Sequence, residues 1–355
     1  MRAYAVTAFG QPLEAIDLPT PEPAGAQVLL EVTHAGVCHS DLHIWEGEYD
    51  LGSHGKLRMS DRGMVPPVVL GHEIVGRVVK LGPEAEGRGL KPGDLRLIYP
   101  WVGCGHCARC RAEEENLCPQ GRPLGVSQPG GYATHVLATH WKHLIEIDGI
   151  DPALASTYAC SGVTVYSAIR KLLPLPPEEP VVVVGAGGLG MNALAVLRAL
   201  GHRRICMVDV SEEKLAAARN QGATEAVRSG DEGTAQSILD ACGGPVAAVL
   251  DLVNSSATAR VAFQILRKGG RLVQVGLFGG EMSVPLPMMP IRALTIQGSY
   301  VGNLGELREL VDLARKGDVP PIPVAEVPME EADAALNRLR DGKVVGRVVL
   351  RAAAA

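Results

Sequence analysis

The sequence predicts an α/β protein built from two unlike parts, a β-rich barrel-like domain and a doubly wound parallel sheet. Three observations lead there. At 355 residues the chain is too long for one ordinary core. Its first third holds short β-like runs at 2–7, 27–35 and 68–81, broken by Gly and Pro. From residue 181 onward, apolar strand-like runs alternate with helix-like segments, the pattern of a parallel sheet wound with helices. The expected divisions are 1–151, 152–290 and 291–355, the last supplying a sheet-edge strand and a return to the first domain.

Within the first part, few helices are expected. The polar stretch 49–67, with its Gly and Ser residues, reads as an irregular loop, and 101–129 as a second loop carrying most of the cysteines. A helix is expected over about 152–173, followed by the Pro-rich connector LLPLPPEEP. Strands at 181–184 and 205–210 then precede helices at about 189–200 and 212–221, with later strands at 246–252 and 271–275. Beyond Pro290 the expectations are a strand at 294–300, a helix at about 304–316 and a closing strand near 344–350.

Composition narrows the function. Hydrophobic residues at 46% and charged ones at 21% are the balance of a globular protein. A net charge of -5 gives no electrostatic reason to bind nucleic acid or an acidic membrane. No apolar run approaches the roughly 20 residues of a membrane span. Residues 1–10 lack a basic start followed by an apolar stretch, so a cytoplasmic location is expected. Eight cysteines are too sparse for a disulfide scaffold, and in a reducing compartment clustered ones read as metal ligands.

The run at 181–184 leads directly into GAGGLG, so that Gly185, Gly187 and Gly190 form G-x-G-x-x-G around Gly188 and Leu189. The motif follows a strand, opens a helix, and is followed by Asp209 at the end of the next strand, the full context of a dinucleotide site. Gly185 permits the tight turn, Gly187 admits the pyrophosphate, and Gly190 lets the helix lie close on the sheet; the free N–H groups at the helix N-terminus then receive the phosphates. Asp209 would accept from the adenosine ribose hydroxyls and repel a 2′-phosphate, which favours NAD over NADP.

Cys104, Cys107, Cys110 and Cys118 form a C-x2-C-x2-C-x7-C array in one loop. Four thiolates so close in sequence suit one tetrahedral zinc, closed to substrate and therefore structural. Adjacent disulfides and an iron–sulfur cluster fit the spacing and flanks less well. Of the other cysteines, Cys206 reads as a small buried apolar residue and Cys242 carries no signal.

Cys38 opens CHSDLH, His72 lies in GHEIVG and Cys160 in CSGVT. Together with the cysteine lobe and the glycine motif, in this order along essentially the whole chain, they resemble the medium-chain zinc alcohol dehydrogenases. That resemblance implies a GroES-like catalytic domain beside a Rossmann domain, and a second zinc on Cys38, His72 and Cys160 with one open position. Two Zn2+ per chain and NAD would then be the cofactors. The catalytic zinc would act as a Lewis acid, favouring the alkoxide of a primary or secondary alcohol that gives hydride to the nicotinamide.

By the same resemblance, Ser40 would accept the alcohol proton and His43 pass it outward. Asp41 would hold the His72 ring, and Glu73 would lie near the metal as an outer group or transient ligand, with simple structural charge pairing as the alternative for both. Arg347 would pair with the cofactor pyrophosphate, His39 would touch it, and Lys214 would lie by the adenosine ribose. Val275, Gly276 and Leu277 would flank the nicotinamide, with plain strand core as the alternative for Val275 and Leu277. Trp45, Tyr49 and Trp101 are candidates for the substrate wall, although aromatic residues in a β domain are more often core, and the stretch 50–66 is a candidate modifier of the pocket mouth. A homo-oligomer, dimer or tetramer, is implied through an edge strand at 294–300. The alternatives are a polyol or aryl-alcohol/aldehyde reductase of the same family, or a non-catalytic nucleotide-binding zinc protein.

Overall fold

A computed structural model describes residues 1–353. The first domain is organised on a seven-stranded sheet. Its order is Leu144–Glu146, Leu95–Ile98, Glu73–Leu81, Val28–Gly36, Arg347–Arg351 and Val324–Pro328, with His135–Ala138 also paired to Val28–Gly36. Val28–Gly36 is largely buried, and its antiparallel pairing with Glu73–Leu81 slips between Leu29 and Leu30 and again between Val32 and His34. Bulges of this kind bend a strand and increase its twist, which curls the sheet around its core. Three further strands, Glu14–Asp17, Arg2–Val6 and Val68–Val69, make a smaller sheet.

The second domain holds six parallel strands in the order Glu225–Arg228, Ile205–Asp209, Val181–Val184, Val246–Asp251, Leu266–Gln274 and Thr295–Gly298. Val181–Val184 is buried at every position, as a central strand covered on both faces must be. The chain winds outward to one side of this strand and then to the other. The resulting switch point leaves a crevice beyond the carboxyl ends of Val181–Val184 and Val246–Asp251. The chain's last strands leave this domain: Arg347–Arg351 pairs antiparallel with Val28–Gly36.

Several elements differ from the sequence expectation. The helix expected over 152–173 is three pieces: Pro152–Thr157, a π-helical turn Tyr158–Gly162, and Val163–Leu172. A short helix, His39–Glu46, lies in the supposedly helix-poor first third; eight residues with few apolar positions give little periodic signal. The stretch read as an irregular loop contains a hairpin, Glu48–Asp50 against Lys56–Arg58. The strand Glu225–Arg228 and the helices Thr234–Cys242, Ser256–Ile265 and Ala332–Arg340 fall in stretches without a clear sequence signal. Among the described residues, no helix is long and apolar enough to cross a membrane.

Candidate active site and metal centres

Cys38 stands at the N-terminus of the helix His39–Glu46, where its N–H donates to Asp41 Oδ2 at 3.0 Å. Asp41 is wholly buried and accepts further from Gly71 N–H and the Tyr132 hydroxyl, at 3.2 and 3.1 Å. Its Oδ1 lies 3.2 Å from His72 Nδ1. Both nitrogens of that ring are buried without a well-aligned hydrogen bond, Nδ1 facing the Asp41 carboxylate and Nε2 having no partner at all. The Cys38 and Cys160 sulfurs are 3.9 Å apart, and with a His72 ring nitrogen the three ligand atoms lie within 4.8 Å of one another.

Two thiols and an imidazole with an orphaned buried nitrogen form a donor set that fits zinc and leaves one position for another ligand. Cys160 reaches this point from the π-helical turn, a distortion that recurs at functional sites. The hydrogen bond from Cys160, with His72 alongside, holds the Cys38 thiol well below its usual pKa although burial opposes this. A thiolate there is the form that ligates metal. The Trp101 ring packs 5.4 Å from that of His72, and its indole N–H donates to Ala159 O at 3.0 Å.

The second cluster is closed. The ligand atoms of Cys104, Cys107, Cys110 and Cys118 also lie within 4.8 Å of one another. Three of the sulfur separations are 3.9, 3.6 and 3.8 Å. Disulfides need about 2.05 Å, whereas sulfurs each about 2.3 Å from one tetrahedral ion lie about 3.8 Å apart. The lobe is tied down by Glu115, which accepts from Gly103 N–H at 3.3 Å, pairs with Lys142 and meets His143 Nε2 at 3.2 Å.

Across the crevice, Gly185 adopts φ +100°, and a Cβ on Gly190 would collide with the Gly185 carbonyl. Gly187 has open space around it and caps the helix that begins at Gly188 and Leu189. Asp209, at the end of its strand, accepts from Ala186 N–H at 2.7 Å and Ser211 N–H at 2.9 Å, so the carboxylate braces the glycine turn itself. Lys214 lies on the helix Glu212–Asn220 that follows. Val275, Gly276 and Leu277 come just past the strand Leu266–Gln274. Gly276 passes so close to Val253 O that no side chain fits.

Ser40, His43, His39 and Arg347 line the same cleft as these residues, a space of about 1850 Å³. The His43 ring packs 4.7 Å from Tyr49, and burial lowers its pKa against the opposing pull of Glu46. The His39 ring lies 5.6 Å from Phe278, and burial pushes it down to about 4.

Three residues engage otherwise than the resemblance implies. The Glu73 carboxylate is occupied by Arg347 and by Ser161 N–H, at 3.0 Å from the latter, and is not in the ligand cluster. Arg347 is correspondingly buried and ion-paired, although its stem lies against Gly188 at the glycine turn. Trp45 turns away from the cleft, donating to Gln11 O at 2.6 Å and packing in the first domain's core. Phe278, Tyr300 and Arg62 line the cleft and had no distinguishing sequence pattern.

Residues 24–149 match the alcohol dehydrogenase GroES-like domain family, and residues 188–316 the zinc-binding dehydrogenase family. The NAD-dependent alcohol dehydrogenase of Sulfurisphaera tokodaii is 39% identical over 353 residues, covering 99% of each chain. A D-arabinose 1-dehydrogenase (NADP(+)) of Saccharolobus solfataricus is 30% identical, covering 98% of this chain and 97% of the other. The solved alcohol dehydrogenase of Aeropyrum pernix superposes with a TM-score of 0.88 at 32% identity, over 99% of this chain and 100% of that one. With both halves matched and similarity of this degree along almost its whole length, the chain belongs to the zinc-dependent medium-chain alcohol dehydrogenase family.

Proposed function

We propose that this protein is an NAD-dependent zinc alcohol dehydrogenase, reversibly oxidising a primary or secondary alcohol to an aldehyde or ketone. One observation carries the reading: Cys38 and Cys160, with the buried His72 grouped beside them, line the cleft that the glycine motif bounds on its other side. When bound, zinc supplies Lewis-acid polarisation of the substrate oxygen and NAD supplies the hydride acceptor.

The chain's own residues do the rest. Asp41 fixes the His72 ring so that Nε2 points to the donor cluster. Ser40 takes the hydroxyl proton and His43 carries it to solvent. A His43 pKa below its ordinary value keeps the ring neutral, and so able to accept, at neutral pH. Asp209 receives the adenosine ribose and disfavours a 2′-phosphate by like charge. Val275 to Leu277 walls the nicotinamide, Lys214 and His39 border the cofactor, and Arg347 lies beneath its pyrophosphate. The Cys104, Cys107, Cys110 and Cys118 lobe holds a second, structural zinc, since its four closed ligands leave no place for substrate.

A cytoplasmic homo-oligomer completes this reading. The strand Thr295–Gly298 lies at an open sheet edge, and exposed Leu286 and Ile291 lie close to it in sequence. Such an edge invites pairing with a second copy. The second reading, a polyol dehydrogenase of the same family, is favoured by similarity to the D-arabinose enzyme. NAD reduction with a panel of primary, secondary, cyclic, aromatic and sugar alcohols, beside metal analysis, separates them. Two zincs per chain and turnover of simple alcohols are expected. A single zinc, or turnover of sugar alcohols alone, overturns the first reading.

A further inference from the structure

The cleft contains three arginines, and two are committed. Arg347 is buried against Glu73. Arg340 lies 3.4 Å from Asp341 and stacks over Trp45. Arg62 has neither a carboxylate within ion-pairing distance nor a side-chain hydrogen bond among the described residues, yet it lines the cleft. It ends the turn Ser60–Arg62, whose flanks are fixed. Met59 is buried and donates to Gly47 O at 2.8 Å, Arg62 N–H bonds back to Met59 O at 3.1 Å, and Met64 N–H does the same at 3.1 Å. Gly63 closes the turn at φ +80°. The backbone therefore presents this guanidinium from an anchored loop.

Its neighbours place it at the substrate end. Its turn is bonded through Met59 to Gly47 and follows the strand that pairs with Tyr49, and Arg62, Tyr49 and Tyr300 line one cleft. Tyr49 packs on His43, and Tyr300 packs 5.9 Å from Trp101, which itself covers His72. The space between the donor cluster and Arg62 is thus walled by aromatic rings, with an unpaired cation at its rim. An apolar chain with an anionic far end matches that sequence of surfaces, and the planar fork of arginine pairs with a carboxylate through two parallel bonds.

We propose that Arg62 is a specificity-determining residue that selects alcohols and aldehydes bearing a terminal carboxylate, such as ω-hydroxyalkanoates and the matching oxo acids. This rests on the dehydrogenase reading above. The test compares kcat/KM for an ω-hydroxyalkanoate and the isosteric neutral ω-hydroxyalkanamide across graded chain lengths. The carboxylate is expected to be preferred by roughly fivefold at the best length, the scale of a partly exposed ion pair. The preference should shrink at high salt. In Arg62→Gln the ratio is expected to fall to about one, and in Arg62→Lys to an intermediate value.

Equal use of the two substrates by the wild type, or a preference that survives in Arg62→Gln, overturns the proposal. Calorimetric titration of a simple alkanoate into the enzyme reads the same contact without turnover. Binding by the wild type that is weakened in Arg62→Gln supports the proposal, and equal binding by both refutes it. No turnover of any alcohol, with that difference in alkanoate binding intact, would sink the dehydrogenase reading alone.

Discussion

Glu73 and Arg347 form a buried ion pair that joins the strand following His72 to the last strand of the chain, with Arg347 also packed against Gly188 of the glycine turn. One contact thus links the neighbour of the histidine in the Cys38–Cys160 donor cluster, the C-terminal strand and the glycine turn. Gly36, directly across the sheet from Glu73, has no room for a Cβ beside that carboxylate. Replacing Arg347 by Met leaves a carboxylate buried without its partner, which costs about 3–5 kcal/mol. Denaturant unfolding should show that loss in Arg347→Met, and Glu73→Gln added to it should restore a part. A loss below about 1 kcal/mol would mean that water reaches the pair.

Asp41 concentrates four contacts on one buried carboxylate: Cys38 N–H, Gly71 N–H, the Tyr132 hydroxyl and the His72 ring. An amide in its place keeps the shape but turns one acceptor into a donor. Asp41→Asn is therefore expected to weaken metal retention at Cys38, His72 and Cys160 by about 10–100-fold, leaving the four-cysteine lobe loaded. Chelator competition followed by metal analysis distinguishes the outcomes. Loss of both ions together would show that Asp41 supports the whole domain and not the one site.

Asp209 serves two purposes in the proposed site, bracing the glycine turn through Ala186 N–H and excluding a phosphate by charge. Asp209→Ser should therefore weaken NAD binding and at the same time improve NADP. The ratio of kcat/KM values should move toward NADP by about a hundredfold or more, since like charges at close range cost several kcal/mol. An unchanged ratio with both cofactors weakened would assign Asp209 to the turn alone.

Burial alone would raise the Glu115 carboxyl, but hydrogen bonds from His143 and Lys142 outweigh it and hold the group at about 2, against 4.5 when free. A carboxylate with a depressed folded-state pKa adds stability that is complete above the unfolded value and disappears as pH falls through the folded one. The advantage of wild type over Glu115→Gln should therefore be constant near neutrality. It should decline as pH drops from 4.5 toward about 2. Thermal unfolding of both proteins across that range provides the check, and parallel curves would contradict the assignment.

The sequence carries the parts of this molecule whose chemistry demands particular residues at fixed spacing. The glycine turn is one, because Gly190 has no space for a Cβ, and the cysteine array is another, because four thiolates must surround one ion. The π-helical turn at Tyr158–Gly162 is not legible, since a single extra residue in a helix leaves the apolar pattern almost intact. Nor does sequence show that Glu73 and Arg347 meet, 274 residues apart. Aromatic character alone leaves Trp45 open between substrate wall and core, and helix geometry turns it into the core. Arg62 and Tyr300 owe their importance only to where the fold delivers them.

The hairpin Glu48–Asp50 and Lys56–Arg58 reaches over the cleft to the loop after Val275. Ser53 donates to Glu281 Oε2 at 2.6 Å, and Gly279 approaches Asp50 so closely that a Cβ would lie 2.7 Å from its backbone oxygen. Glu281 is rooted in its own domain by its N–H bond to Ser256 Oγ at 2.9 Å. The two domains are thus fastened across the cleft. Cutting the hairpin back to a two-residue Asn-Gly turn removes the Ser53 contact while preserving strand pairing. NADH release, followed by stopped-flow fluorescence, should then quicken by roughly tenfold, the worth of about one hydrogen bond to a charged group. Glu281→Gln should produce a smaller change in the same direction, because an amide still accepts from Ser53. Bulky alcohols should gain in kcat/KM relative to small ones in the shortened protein. Release rates and substrate preference both equal to wild type would show that the hairpin lies over the cleft without restraining it.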